Sequence, residues 1–138
     1  MTISVVAVIP ARGGSKTVPR KNIKLLNGKP LIFYTIKEAL KSKYIGRVLV
    51  STEDKEIAQI SKEYGAEVIE RPLELAHDDT PSLPVFQHVI RHLEKVESFT
   101  PEIIVILQPT SPLRIAEDID EAIRKFLETG CDSVASVC

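Results

Sequence analysis

The residues best equipped for chemistry lie early in the chain, from Val8 to Asn22, in the stretch VIPARGGSKTVPRKN. An apolar run breaks at Pro10 and Ala11, and two adjacent glycines, Gly13 and Gly14, lead into Ser15 and Lys16. Arg12, Lys16, Arg20 and Lys21 crowd four cations between Arg12 and Asn22. Glycine lets the backbone approach a ligand closely and turn successive N–H groups inward, while arginine, lysine and serine add charge and a hydroxyl. A triphosphate needs that combination: many donors in a small concavity, with several cations against roughly four negative charges. Neither G-x-x-x-x-G-K-[ST] nor G-x-G-x-x-G occurs, since only GGSK is present, which disfavours a P-loop ATPase and a dinucleotide-dependent dehydrogenase. A glycine pair after a strand can also be a plain turn; the added cations argue for a ligand.

A second segment, LQPTSPLR from Leu107 to Arg114, is polar and stiff. Pro109 and Pro112 fix the backbone, Gln108, Thr110 and Ser111 present neutral hydrogen-bonding groups, and Arg114 adds a cation near a helix start. Thr110 or Ser111 could simply cap the helix that begins near Ala116. Neutral polar groups held rigidly beside a phosphate loop suit a polyhydroxylated substrate.

Alternating strands and helices must position these loops. SVVAVIP (4–10) is a continuous β-branched run of the kind that suits a strand buried on both faces, and RVLVS (47–51), AEVIE (66–70), IIVILQ (103–108) and DSVASVC (132–138) are four more candidate strands. Between them, apolar residues recur at helical spacing. One stripe is Ile32, Ile36, Ala39 and Leu40, with Pro30 near its first turn. A second is Ile57, Ile60 and Tyr64, started by Glu53 and Asp54 and stopped by Gly65. Phe86, Val89, Ile90 and Leu93 make a third, and Ile119, Ile123, Phe126 and Leu127 a fourth that closes at Gly130. The order β-α-β-α-β-α-β-α-β predicts an α/β fold: a doubly wound, mostly parallel sheet in a three-layer α/β/α arrangement. Such sheets bind ligands beyond the carboxyl ends of their strands, which directs attention to 11–22, 51–54, 71–81 and 108–115.

The 138 residues suit a single domain, 1–138, and a net charge of −1 gives no global basic field to attract a nucleic acid polymer. There is no run of about eighteen apolar residues, and MTISVVAVIPAR lacks the charged start and cleavage site of a signal peptide, so the expectation is a cytoplasmic protein with no membrane partner. Two cysteines, Cys131 and Cys138, make neither a disulfide framework nor a metal quartet and are expected to be buried and reduced.

Five stretches in order, IPARGGSK with RKN, LNGKPLIFYTI, STED, RPLELAHDDTPS and LQPTSPLR, resemble the acylneuraminate cytidylyltransferases, and the likeness spans essentially the whole chain. That resemblance implies a Rossmann-like nucleotidyltransferase fold and an enzyme that transfers CMP from CTP to a nine-carbon 2-keto sugar acid. The anomeric hydroxyl of the sugar would attack the α-phosphorus and expel pyrophosphate with the help of Mg²⁺. It further implies that Ala11, Arg12, Gly13, Gly14, Ser15 and Lys16 surround the triphosphate, that Lys21 approaches the phosphates and that Asn22 helps hold the nucleotide. Arg71 and Ser82 would contact the base and ribose, and Gln108, Thr110 and Ser111 would face the sugar acid. Arg12 and Lys21 are the expected catalytic residues, since phosphoryl-type transfer depends on stabilising charge spread over non-bridging oxygens.

Three departures qualify the likeness. Thr17 stands where the family usually has glycine after GGSK. The family usually continues past the point where this sequence stops, with acidic residues for Mg²⁺ and an arm exchanged across a homodimer. The expectation is therefore a nucleotide-binding portion whose Mg²⁺ ligands and dimerisation segment lie outside these residues. No acidic pair here replaces those ligands: Asp78 and Asp79 are adjacent and point apart on an extended chain, and Glu117 to Glu121, EDIDE, is a charged first helical turn complementing the helix dipole. His88 and His92 lack the glutamate of H-E-x-x-H and lie opposite the Phe86, Val89, Ile90 and Leu93 stripe, which predicts a solvated face; His77 is expected to be an exposed loop residue. The rival readings are a module that binds nucleotide without catalysis, the related cytidylyltransferase for the eight-carbon acid of lipopolysaccharide cores, and a response-regulator-like domain, which would need an acidic pocket where this sequence has cations.

Overall fold

The computed structural model describes residues 4–11, 25–26, 28–72, 82–107 and 116–129. Four parallel strands form the central sheet: β1 (Val5–Pro10), β4 (Arg47–Thr52), β5 (Glu67–Glu70) and β6 (Ile103–Ile106), in the order β5-β4-β1-β6. Val8 lies opposite Leu49 on one side and Ile106 on the other, and Val50 opposite Val68. The order reverses between β1 and β6, as in dinucleotide-fold sheets, which puts the ligand crevice at the ends of those two strands. A response-regulator arrangement would seat the second and third strands of the chain on either side of the first. Here β4 and β6 flank β1, so that reading is overturned. The strand expected at 132–138, Cys131 and Cys138 lie outside the described residues.

Alternation along β1 divides the core into two layers. Val5, Ala7 and Ile9, with Val48 and Val50 of β4, pack against Ile32, Ile36 and Ala39 of α1 (Leu31–Lys41), Ile57 of α2 (Lys55–Glu63) and Ile119 and Ile123 of α4 (Ala116–Thr129). Val6 and Val8, with Leu49 and Ile69, pack against Val89 and Leu93 of α3 (Ser82–Glu97) on the other face. The expected three-layer sandwich is thus observed, and two stripes are only partly covered: Ile36 is fully buried, while Leu40 of α1 and Leu127 of α4 are exposed.

Helix ends set where the loops begin. Asp54 caps α2, its Oδ1 accepting from the backbone N–H groups of Glu56 at 2.9 Å and Ile57 at 3.0 Å. Gly65, at φ +97°, ends that helix in the left-handed conformation a side chain would resist. Pro30 sits one position earlier than a first-turn residue, at the N-cap of α1. It also closes a short antiparallel ribbon that the strand pattern did not foresee, β2 (Leu25–Leu26) with β3 (Lys29–Pro30). Asn-Gly at 27–28 is the hairpin signal for it, and Gly28 has φ +82°.

The acidic first turn of α4 does more than complement a dipole. Glu117 and Asp118 are exposed, but Asp120 is buried and joins α4 to the end of α1. It accepts from the hydroxyl of Ser42 and, through both oxygens, from the backbone N–H of Lys43 at 3.1 and 3.2 Å. Glu38 of α1 reaches the start of α4 as well, its Oε1 accepting from the N–H of Ala116 at 2.9 Å. This carboxylate satisfies one of the backbone N–H groups that the first turn of a helix leaves without an intrahelical partner.

Candidate functional site

The described part of the site lies where β1, β4 and β5 end. Apolar strand interiors give way there to Ala11, to Ser51 and Thr52, and to Arg71, all buried. The three chain ends are stitched together by backbone bonds that continue the sheet past its last paired residues. Ala11 N–H donates to the carbonyl of Ser51 at 2.9 Å, and Arg71 N–H to the carbonyl of Thr52 at 2.9 Å. Thr52 Oγ1 accepts from the N–H of Asp54 at 3.1 Å and leads the chain into the α2 cap.

Arg71 is 5% exposed, which is unusual for an arginine and requires that its donors be occupied. Nε donates to Ser51 Oγ at 3.3 Å and Nη2 to the Ser51 carbonyl at 3.2 Å. Ser51 therefore receives both the first residue of the opening loop and the guanidinium on one carbonyl. The sequence reading did not single it out as a site residue, although a hydroxyl pair closing the otherwise apolar run RVLVST was the available signal.

His88 of α3 corrects an expectation. It is half-buried, its Nδ1 is fully shielded from solvent, and that nitrogen has no hydrogen-bond partner among the described residues. Burial lowers its pKa below the ordinary imidazole value, and the charges of His92 and Arg71 push in the same direction. The buried line of α3 runs through Val85, Val89 and Leu93 and lies roughly 50° from the centre of the expected stripe, toward the histidines, so these flank the core.

The structure brings Ala11 and Arg71 of the expected site together through Ser51. Ser82 is the first residue of α3, with its side chain outside the described residues. Arg12, Gly13, Gly14, Ser15, Lys16, Lys21, Asn22, Gln108, Thr110 and Ser111 also lie outside them, as do Thr17, His77, Asp78 and Asp79. Leu107, the last described residue before the polar segment, is buried and donates its N–H to the carbonyl of Val8 at 3.0 Å, so that segment departs from beside β1 at the sheet's reversal point. Among the described residues no group of three or more His, Cys, Asp or Glu could hold a metal ion, and no helix is long and apolar enough to cross a membrane.

Comparison with known proteins agrees with this geometry. The family model described as cytidylyltransferase matches residues 6–137. An N-acylneuraminate cytidylyltransferase of Escherichia coli is 39% identical over 91% of this chain and 29% of its own length. A CMP-N,N'-diacetyllegionaminic acid synthase of Legionella pneumophila is 41% identical over 96% of this chain and 57% of its own length. Among solved structures, a CMP:2-keto-3-deoxy-manno-octonic acid synthetase complexed with CTP superposes with a TM-score of 0.78 at 23% identity, covering 93% of this chain and 49% of that one. A 4-diphosphocytidyl-2C-methyl-D-erythritol synthase gives 0.71 at 11% identity, so the fold is shared well beyond close sequence likeness. The chain spans between 29% and 57% of the length of these curated relatives.

Proposed function

The chain belongs to the cytidylyltransferase family, and from that premise we propose that it binds CTP and serves transfer of CMP to the anomeric hydroxyl of a nine-carbon 2-keto sugar acid of the sialic acid type. The observation that carries the proposal is the buried Arg71, bonded to Ser51 at the carboxyl end of the sheet on the same carbonyl that receives Ala11, the entrance to the cationic glycine loop. A rigid guanidinium offers a planar set of donors to a polar heterocycle or ribose, while the loop from Arg12 to Asn22 supplies charge for phosphates.

In this reading Gly13, Gly14, Ser15 and Lys16 hold the triphosphate with Asn22, and Arg71 with Ser82 contacts the base and ribose. Arg12 and Lys21 offset charge as the sugar oxygen bonds to the α-phosphorus and pyrophosphate departs. Gln108, Thr110 and Ser111 meet the hydroxyls and amides of the acid. Mg²⁺ would supply further neutralisation of the triphosphate. Among the described residues no cluster fits such an ion, and in this reading its ligands come from elsewhere, in a family-type homodimer. Use of CTP goes with a cytoplasmic location.

Release of pyrophosphate from CTP and Mg²⁺ with a panel of sialic, legionaminic, pseudaminic and eight-carbon acids tests the proposal, run on this chain and on a version extended at its C-terminus. Turnover with a nine-carbon acid is expected. Turnover with the eight-carbon acid alone would reassign the substrate, and CTP binding without pyrophosphate in either version would make the protein a nucleotide-binding module.

A further inference from the structure

Two carboxylates, one from each helix, fasten α1 to α4. Glu38 of α1 accepts from the N–H of Ala116 through Oε1 at 2.9 Å, and one turn further on Asp120 of α4 accepts from Ser42 and Lys43 at the end of α1. Glu38 and Ser42 are four residues apart on one chain segment, as Ala116 and Asp120 are on the other, so the helices run side by side in one direction and in fixed register. Asp120 ties helix to helix. Glu38 reaches further, because Ala116 is where the segment 108–115 becomes α4.

The sequence shows why an acceptor from another helix serves there. Leu113, Arg114 and Ile115, the three residues before Ala116, carry no side-chain oxygen that could take a helix-start N–H. Glu38 is itself well held: its side chain is 17% exposed, Oε2 lies 3.6 Å from Lys41 Nζ, and α1 is seated on the sheet through the fully buried Ile36 and Ala39. The other end of the segment is fixed to the sheet, since Leu107 is buried and donates its N–H to the Val8 carbonyl at 3.0 Å. Eight residues lie between the two anchors, and Pro109 and Pro112 remove part of their freedom. In a connection that short and stiff, the placement of both ends constrains the path between them.

We propose that Glu38 is a positioning residue for the sugar acid: by holding Ala116 against α1 it fixes the end of the segment that carries Gln108, Thr110 and Ser111. The assignment of the sugar acid to those three residues rests on the cytidylyltransferase reading above; the anchoring of Ala116 by Glu38 does not. Glu38 acts through Ala116 and touches no substrate. With the anchor in place the acid meets a preorganised segment; without it the helix start frays and part of the binding free energy goes into ordering the chain. The triphosphate loop leaves the sheet from Ala11 at the end of β1 and is not tied to this anchor, so the loss falls on the acid and spares CTP.

Two measurements test this. In the first, amide hydrogen exchange at Ala116 is followed by NMR in the wild type, Glu38→Ala and Glu38→Gln. Glu38→Gln removes the charge and keeps an acceptor oxygen, which separates the hydrogen bond from the charge. Exchange at Ala116 should quicken about fivefold in Glu38→Ala and stay near the wild-type rate in Glu38→Gln. No change in Glu38→Ala, or the same change in both variants, would overturn the anchoring. In the second, pyrophosphate release from CTP and Mg²⁺ is measured with sialic, legionaminic or pseudaminic acid, whichever is turned over best, in this chain and in the version extended at its C-terminus. Glu38→Ala should raise KM for the acid about fivefold with KM for CTP little changed, and Glu38→Gln should restore most of the difference. Glu67→Gln, at the amino end of the sheet, controls for stability and should leave the acid KM unchanged. An unchanged acid KM in Glu38→Ala, equal rises for acid and CTP, or a rise in Glu67→Gln as well would overturn the positioning role. Absence of pyrophosphate release from the wild type in both versions would defeat the cytidylyltransferase reading and the functional role with it, and hydrogen exchange would still decide the anchoring by itself.

Discussion

The two ends of the β4 and β5 pair each carry a guanidinium, and they use it in opposite ways. At the amino end Arg47 lies at the surface and is held by carboxylates: Nε and Nη2 donate to Glu67 at 2.9 and 2.7 Å, Nη2 also to Glu97 at 3.0 Å, and the group stacks over Phe99 at 5.3 Å. Those hydrogen bonds raise its pKa above the usual arginine value, a sign of a charge answered by other charges. At the carboxyl end Arg71 is buried and bonded to a serine hydroxyl and a backbone carbonyl. The first arrangement ties β4, β5 and α3 together. The second sets a buried cation beside the segments that the proposed function assigns to ligand.

Asp120 belongs with the amino end, since it fastens the turn after α1, and it offers the largest stability effect. Asp120→Ala should cost about 3 kcal/mol in chemical denaturation, because the Ser42 hydroxyl and the Lys43 N–H lose a buried, charged acceptor. The folded fraction should bind CTP as the wild type does. Arg71→Gln should invert that pattern, with affinity for CTP falling about 100-fold, near 2.7 kcal/mol, and a smaller change in denaturation midpoint. If the two variants lose stability equally and CTP affinity is unchanged, the two ends do not differ in the way described.

Much of this division was legible in the sequence. The strand runs, the stripes of α1 to α4 and the Asp54 start of α2 are local patterns in which period and capping chemistry suffice. Arg71 was singled out through a motif. Ser51, Asp120 and Glu38 escaped because their roles are tertiary: a serine at the end of a buried run, and carboxylates on exposed-looking helical turns, gain function only from what folding sets across from them. His88 was misplaced since one more apolar residue, Val85, turns the face of α3. Each miss came from judging a helix or strand without its neighbour.

Smaller effects sharpen the contrast. Glu38→Ala removes the carboxylate that accepts from Ala116 N–H and should lower stability by about 1 kcal/mol, the usual cost of a lost cap. Glu67→Gln should cost about 0.5 kcal/mol, since its side chain is half exposed and solvent screens the pair. The pH dependence follows from Arg47 holding the Glu67 carboxyl below its ordinary value of 4.5. A depressed folded-state pKa contributes stability above the unfolded value and loses it as pH falls through the folded one. From about pH 5 to about pH 3 the wild type should therefore lose more stability than Glu67→Gln, as read from denaturation midpoints.

Calorimetry of this chain with CTP, ATP and GTP in the presence of Mg²⁺ tests most directly whether the carboxyl end of the sheet is a cytidine nucleotide site. CTP is expected to bind at least tenfold more tightly than either purine nucleotide, a difference of about 1.4 kcal/mol. Equal binding of the three, or binding of ATP or GTP alone, would contradict the assignment.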